Sequence, residues 1–359
     1  MLHLQQNNSD SRKKGSTSRK LCVQVRFLYR ACYYCVMKLF IGHQSALEYW
    51  RLYRALPQGG SRRRRSFFLP NNLPSEELFN PPPLAVPLHV MLSRSKTGRL
   101  PLETKQHVFK GETPTGCFVD TKDGYAVSSP EFCFLQLASQ LPLPRIIQLG
   151  YELCGKYSIP TNKDSNVLKK GYYDREPLTS VKELQSFLER MSGVKGHQMA
   201  MRALRYLHDG SASPMETKLA MLLTLPYKMG GYSLCSPELN YRIVPTKAAI
   251  QSGSKSFYSC DLFWPDYNLA AEYDSDLYHD NSKSITKDAK KRNVLSVMRV
   301  TVITVTREQV YDREELENVA RTLASHLDKR LLHSRNPGFA AAHRDLHKLL
   351  LSRKGKVFC

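Results

Sequence analysis

The sequence predicts an α+β fold in which a smaller α+β domain precedes a core of order αβββαβ built on a mixed sheet. Three observations predict it. The chain has 359 residues, more than the ~100–200 of a usual domain, and is 42% apolar, enough for two cores. Short alternating runs, which suit strands, fill residues 84–127. Helical and strand periods then succeed one another through the second half in the order just given.

Residues 1–36 are polar and basic, then a Cys/Tyr mixture without helical or strand period. They read as a disordered or mis-assigned N-terminal tail that is dispensable for folding and binding, with the working protein starting near Met37. From Met37 a short apolar strand leads through a His43-Gln44-Ser45 turn into an amphipathic helix. Residues 58–83 form a Gly/Arg/Pro-rich connector. Its run Arg62 to Arg65 is either a set of phosphate contacts or a solvated charge cluster. Three alternating runs within 84–127 read as a small sheet. After Ser129-Pro130 the period turns helical over 131–140 and 145–156. Ser180, with Glu183 three residues later, caps a further helix, and another covers 197–207. This gives a domain over 37–205, a second over 206–332, and a basic C-terminal helix and tail over 333–359, amphipathic near 340–351 and suited to packing.

The second domain reads as helix 214–225, strand 239–244, a hairpin, helix 282–298, strand 299–306 and helix 313–330. The hairpin carries the chemistry. Residues 257–264 alternate and are rich in aromatics, Pro265-Asp266-Tyr267-Asn268 supplies turn chemistry, and 269–274 resumes as a strand. A four-residue loop pairs Trp264 with Leu269 and so sets Asp261 opposite Glu272, an arrangement in which like charges repel. Asp274, two residues on, shares the face of Glu272. The small Ala270 and Ala271, and the apolar strand that follows, imply an interior position for this strand. The acids are then either a solvated face or a divalent-metal site for phosphodiester hydrolysis.

The formal net charge of +21 points to a polyanion, nucleic acid ahead of membrane. Up to Arg65 there are fourteen basic residues against Asp10 and Glu48, a net +12 that leaves only +9 for the remaining 294 residues. The body is therefore moderately basic. Of nine cysteines, only Cys32 and Cys35 have ligand-like spacing, with no second pair to complete a structural zinc site. The odd count in a chain of this size suits a reducing cytoplasm. The apolar stretch 21–41 is interrupted by Arg26, Arg30 and Lys38 and lacks a cleavage site, so neither a signal nor a membrane segment is expected.

The run DLFWP…EYD…H…DAKKRN…VTVITVT, with an acid on the preceding helix, resembles the PD-(D/E)XK nuclease superfamily over residues 211–329, in its bacterial branch similar to the very-short-patch-repair (Vsr) endonucleases. Residues 40–205 more weakly resemble the C-terminal part of AbiEi-type antitoxins, without their winged helix. The resemblance implies a restriction-endonuclease-like core and Mg2+ or Mn2+ held by Asp261, Glu272 and Glu216, with a main-chain carbonyl at Tyr273. Glu216 also reads as the N3 member of a capping box with Ser213 and Pro214.

The motif's lysine would stand at position 274, where this chain has Asp274. That side chain supplies no positive charge but can ligate a second metal or orient water. The replacement cation is expected from the next helix, where Lys283, Lys287, Lys290 and Lys291 recur and Lys287 and Lys291 share a face. His279 is the other candidate, for proton transfer or phosphate contact, or else for packing at a helix start. Three functional readings follow: a metal-dependent DNA endonuclease, a non-catalytic DNA-binding regulator or antitoxin that keeps the fold, and a protein-interaction module of a defence operon. The partners implied are DNA and either a second copy or an operon-encoded protein.

Overall fold

The computed structural model describes residues 38–53, 66–73, 82–95, 103–121, 124–161, 171–249, 255–274, 282–332 and 337–352, with the backbone alone over 282–288. The tail before Met37, the Arg62 to Arg65 run, His279 and the side chains of Lys283 and Lys287 lie outside the described residues. Two compact units divide the chain: residues 1–46 with 57–129, and residues 47–56 with 130–359. The boundary expected at 205/206 falls inside the second of these.

The first unit is built on β1 (Leu39–Ile41), followed by the start of α1 (His43–Tyr53), then β2 (Phe67–Phe68), β3 (Leu88–Leu92), β4 (Thr104–Val108), β5 (Glu112–Thr113), β6 (Phe118–Asp120) and β7 (Tyr125–Ser128). Five of the strands make a mixed sheet of order β4-β3-β1-β7-β6, with β1 parallel to β7 and antiparallel to β3. Every residue of β1 and β3 is buried, the pattern of interior strands covered on both faces. β2 and β5 form a separate pair. Phe40 meets the rings of Phe118 and Phe67 edge-on, at 5.0 and 5.6 Å.

The second unit opens with α2 (Pro130–Ala138) and α3 (Leu143–Leu153), then the β8 (Tyr157–Ser158) and β9 (Tyr173–Asp174) pair, α4 (Val181–Glu189) and α5 (His197–Leu204). All nine residues of α2 are buried, seven of them apolar, and the buried Glu131 accepts from the Thr179 hydroxyl. Arg51, in the α1 segment of this unit, pairs bidentately with Glu152 of α3 at 2.8 and 2.7 Å, with both side chains almost fully buried. Ser180 caps α4, its hydroxyl accepting from the Glu183 amide.

Next come α6 (Pro214–Thr224), β10 (Glu238–Ile243), β11 (Tyr258–Trp264), β12 (Leu269–Asp274), α7 (Ser282–Val297) and β13 (Thr301–Thr306). This is the order αβββαβ. The sheet runs β10-β11-β12-β13, its first two pairings antiparallel and the last parallel, so it too is mixed and the fold class is α+β. Val294 and Leu295 of α7 pack on Tyr258, Cys260, Phe263 and Ala270 of the sheet.

The closing elements differ from expectation. β13 starts at Thr301, two residues late, because Arg299 takes a left-handed conformation at φ 60° that no strand continues. The stretch read as one helix from 313 is preceded by a separate helix, α8 (Arg307–Tyr311), started by a Thr306/Gln309 capping box. Asp312 is extended and caps α9 (Arg313–His326), its carboxylate accepting from the amides of Glu314 and Glu315. The last helix is α10 (Phe339–Leu351), whose backbone at Ala342 lies so close to Gly230 (φ 89°) that an added Cβ would sit 2.3 Å from the Ala342 carbonyl oxygen. Among the described residues no helix is long and apolar enough to cross a membrane.

Candidate functional site

The turn between β11 and β12 fixes the site. Pro265–Tyr267 form a single 3-10 turn, and Asn268 closes it at φ 44°, a conformation that asparagine tolerates better than most residues. The register follows: Trp264 opposite Leu269, Phe263 opposite Ala270, Leu262 opposite Ala271. One step further, the Tyr273 amide donates to the Asp261 carboxylate at 2.9 Å, so a side chain supplies the acceptor at the end of the ladder. β12 lies between β11 and β13, with Leu269, Ala270 and Ala271 fully buried and Glu272, Tyr273 and Asp274 half-buried at its far end. An interior strand therefore opens only where its acids stand.

Glu216 joins this group from α6. Its own amide donates to the Ser213 hydroxyl at 3.1 Å, as a capping box requires. Its carboxylate does not return to the Ser213 amide as the sequence suggested. It accepts instead from the Ala212 amide at 2.8 Å and from Asn240 of β10 at 2.6 Å. Burial raises the pKa of this carboxyl, and the nearby Glu272 adds to the effect. Asp261 is displaced further. Burial first, then the charges of Glu216 and Glu272, push it up to about 8, against the opposing Tyr273 hydrogen bond and the Lys291 charge.

The cation comes from α7. The Lys291 ammonium forms an ion pair and hydrogen bond with Oε2 of Glu272. The other Glu272 oxygen, Oε1, is buried without an N–H or O–H donor, and the Cys260 thiol is the neighbour that hydrogen-bonds this carboxylate. Burial, reinforced by Glu272, also pushes the adjacent Cys260 thiol up to about 12. Lys290 and Arg292, on either side of Lys291, are exposed. Asp274 ends β12 opposite Thr306 of β13.

A recess of about 540 Å³ opens next to the acids, lined by Lys255, Ser256, Phe257, Tyr258, Ser259 and Lys291. Two hydrogen-bonded routes join its wall to the acid cluster. Lys291 reaches Glu272, and the Ser259 hydroxyl donates to Asn240 at 3.4 Å, whose amide holds Glu216. At the rim the Arg242 guanidinium lies over the Phe257 ring, 4.5 Å from its centroid.

Among the described residues, no three His, Cys, Asp or Glu side chains form a ready-made metal cage. The donor set nonetheless suits a hard divalent cation. It consists of carboxylate oxygens, one of them buried without an N–H or O–H donor, around a carboxyl whose ionisation its neighbours oppose. With all three acids ionised, one ammonium leaves two negative charges unbalanced, the charge of one Mg2+ or Mn2+; without a cation Asp261 keeps its proton instead.

Sequence reasoning missed Asn240, Ser259, Arg242 and Phe257. They lie on β10, on β11 or just before it, and only the β10 pairing brings them to the acids. It also missed a group of imidazoles in the first unit. His107 Nε2 lies 3.0 Å from His89 Nδ1, and the His43 ring stacks on His107 at 3.5 Å. Burial, with Lys105 nearby, pushes both His89 and His107 down to about 4, so they are neutral at ordinary pH. The near-parallel rings of His43 and His107 set their nitrogens side by side, not toward one point.

Two uncharacterised proteins, one from each of two strains of Mycobacterium tuberculosis, are 24% identical to this chain over 147 residues, which is 41% of it and 49% of each relative. The chain spans about half the length of the curated relatives it matches. No family model and no solved structure matches it.

Proposed function

We propose that the chain is a metal-dependent DNA endonuclease of the PD-(D/E)XK type, similar to Vsr endonucleases, acting in the cytoplasm on a restriction-endonuclease-like core. One observation carries the reading: Asp261, Glu216 and Glu272 cluster around a single ammonium, so that Asp261 keeps its proton and one Glu272 oxygen is left without an N–H or O–H donor. Each acid has a hydrogen-bond partner, but three of them share one ammonium, and a bound dication would let all three ionise.

Asp261, Glu272 and Glu216, with Asp274 at the strand end, would hold the ion. A bound Mg2+ or Mn2+ would supply Lewis-acid polarisation of the phosphate and a more acidic water. The Tyr273 amide orients Asp261, and Asn240 with the Ala212 amide orients Glu216, so each acid is held by a second group. Lys291 offers the positive charge that position 274 lacks, able to offset charge developing on the phosphate. Lys290 and Arg292 are exposed and suited to backbone phosphates.

A second reading, a DNA-binding regulator without catalysis, is favoured by the Lys291–Glu272 pair, which already neutralises one acid without metal. A nuclease assay on plasmid, linear, mismatched and single-stranded DNA with Mg2+ or Mn2+, beside Asp261→Asn, separates the two. Cleavage lost in the variant supports the enzyme. Salt-sensitive binding with no cleavage by the wild type supports the regulator.

A further inference from the structure

Among the described residues that line the recess two are cations and none is acidic. Lys255 and Lys291 line it and Arg242 stands at its rim, while the acids lie behind Lys291 and Asn240. An anion entering it meets positive charge first and the acid cluster second. Its volume of about 540 Å³ falls within the ~300–1,000 Å³ typical of sites that enclose one small ligand. Phe257 is 37% exposed and carries a guanidinium over its ring. Aromatic rings and guanidinium planes at the edge of a basic cleft are the surfaces on which unpaired bases stack. In a duplex both faces of each base are covered by neighbours, so such a surface has nothing to receive until a base leaves the stack.

We infer that the recess takes one unpaired nucleotide of a DNA strand, its base stacked on the Phe257/Arg242 pair and its phosphate held by Lys255 and Lys291. This rests on the nuclease reading, because it makes Lys291 the link between the bound phosphate and the acids. The substrate class is then a single strand or a frayed end, in preference to an intact duplex. Ser259 and Lys291, each hydrogen-bonded toward a different acid, would place the captured phosphodiester next to Asp261.

Binding of the full chain to a fluorescent single-stranded oligonucleotide and to the matching duplex, measured by anisotropy in EDTA, tests this without requiring cleavage. The wild type is expected to prefer the single strand. Phe257→Ala should weaken that binding on the order of tenfold and leave duplex binding unchanged, whereas Phe257→Tyr should restore it. A 2-aminopurine placed in the strand should be quenched by the wild type and not by Phe257→Ala. Phe257 is partly exposed, so an unchanged thermal unfolding midpoint would show that the variant is folded. Equal losses for both DNAs, no loss, or preference for the duplex would overturn the assignment. Stronger binding to the same sequence as RNA would overturn the choice of DNA. Cleavage is scored separately in Mg2+: Phe257-dependent single-strand binding without cleavage would sink the enzyme reading and leave the nucleotide pocket standing, and cleavage of duplex regardless of Phe257 would do the reverse.

Discussion

In metal-free protein, Asp261 should make stability fall as pH rises. An unfolded aspartate ionises near 3.8, whereas in the fold this carboxyl holds its proton until about 8. Between those values the folded state binds one more proton than the unfolded one. Stability from this group is full below the lower value, declines by up to about 1.4 kcal/mol per pH unit, and is lost above the upper one. Asp261→Asn keeps a side-chain oxygen for the Tyr273 amide and removes the titration. From pH 5 to pH 7 the variant should therefore gain ~2–3 kcal/mol on the wild type. Glu216 is raised in the same direction, so the proton belongs partly to the pair and the wild-type slope is not weakened by sharing. Urea unfolding of both proteins in EDTA across this range measures the difference, and Mg2+ should then stabilise the wild type more at the higher pH. Parallel pH curves for the two proteins would refute the claim that Asp261 is desolvated beside like charges.

Lys291→Met should lower cleavage on the order of a hundredfold and single-strand affinity by a clearly smaller factor, since Lys255 still holds the phosphate; equal losses in rate and affinity would make Lys291 a phosphate contact only. Glu152→Gln leaves the Arg51 guanidinium buried without its carboxylate and should cost ~3–5 kcal/mol in chemical denaturation. A loss below ~1 kcal/mol there would mean that water reaches the pair. Gly230→Ala combines a left-handed backbone with a clash against Ala342 and should destabilise by more than ~2 kcal/mol. Amide exchange in α10 should rise with it, and unchanged protection would show that the helix does not depend on this approach.

The hairpin was legible because its register is local: a four-residue turn ending in asparagine leaves one way to pair Trp264 with Leu269, and everything to Leu262 follows. The order αβββαβ was legible for a similar reason, since each element carries its own period. Which α7 lysine faces the acids was not, because Lys287 and Lys291 share a helical face and the choice depends on how α7 lies on the sheet. Nor was the partner of Glu216. A capping box predicts the Ser213 amide, and Asn240, twenty-four residues away, competes only once β10 is in place. The order of the first sheet was hidden as well, because β1 pairs in parallel with β7 and such pairing leaves no turn signature.

The hydrogen bond from the Tyr273 amide to Asp261 makes one residue answer to two demands. An aspartate there is both the acid nearest the proposed chemistry and the acceptor that ends the β11–β12 ladder. Alanine removes the charge and the acceptor together, so an inactive alanine variant reports on geometry as much as on catalysis. Asparagine removes the charge alone, and glutamate keeps it on a side chain one methylene too long for the same contact. The three variants side by side thus separate the scaffold's need for that oxygen from the reaction's need for its charge.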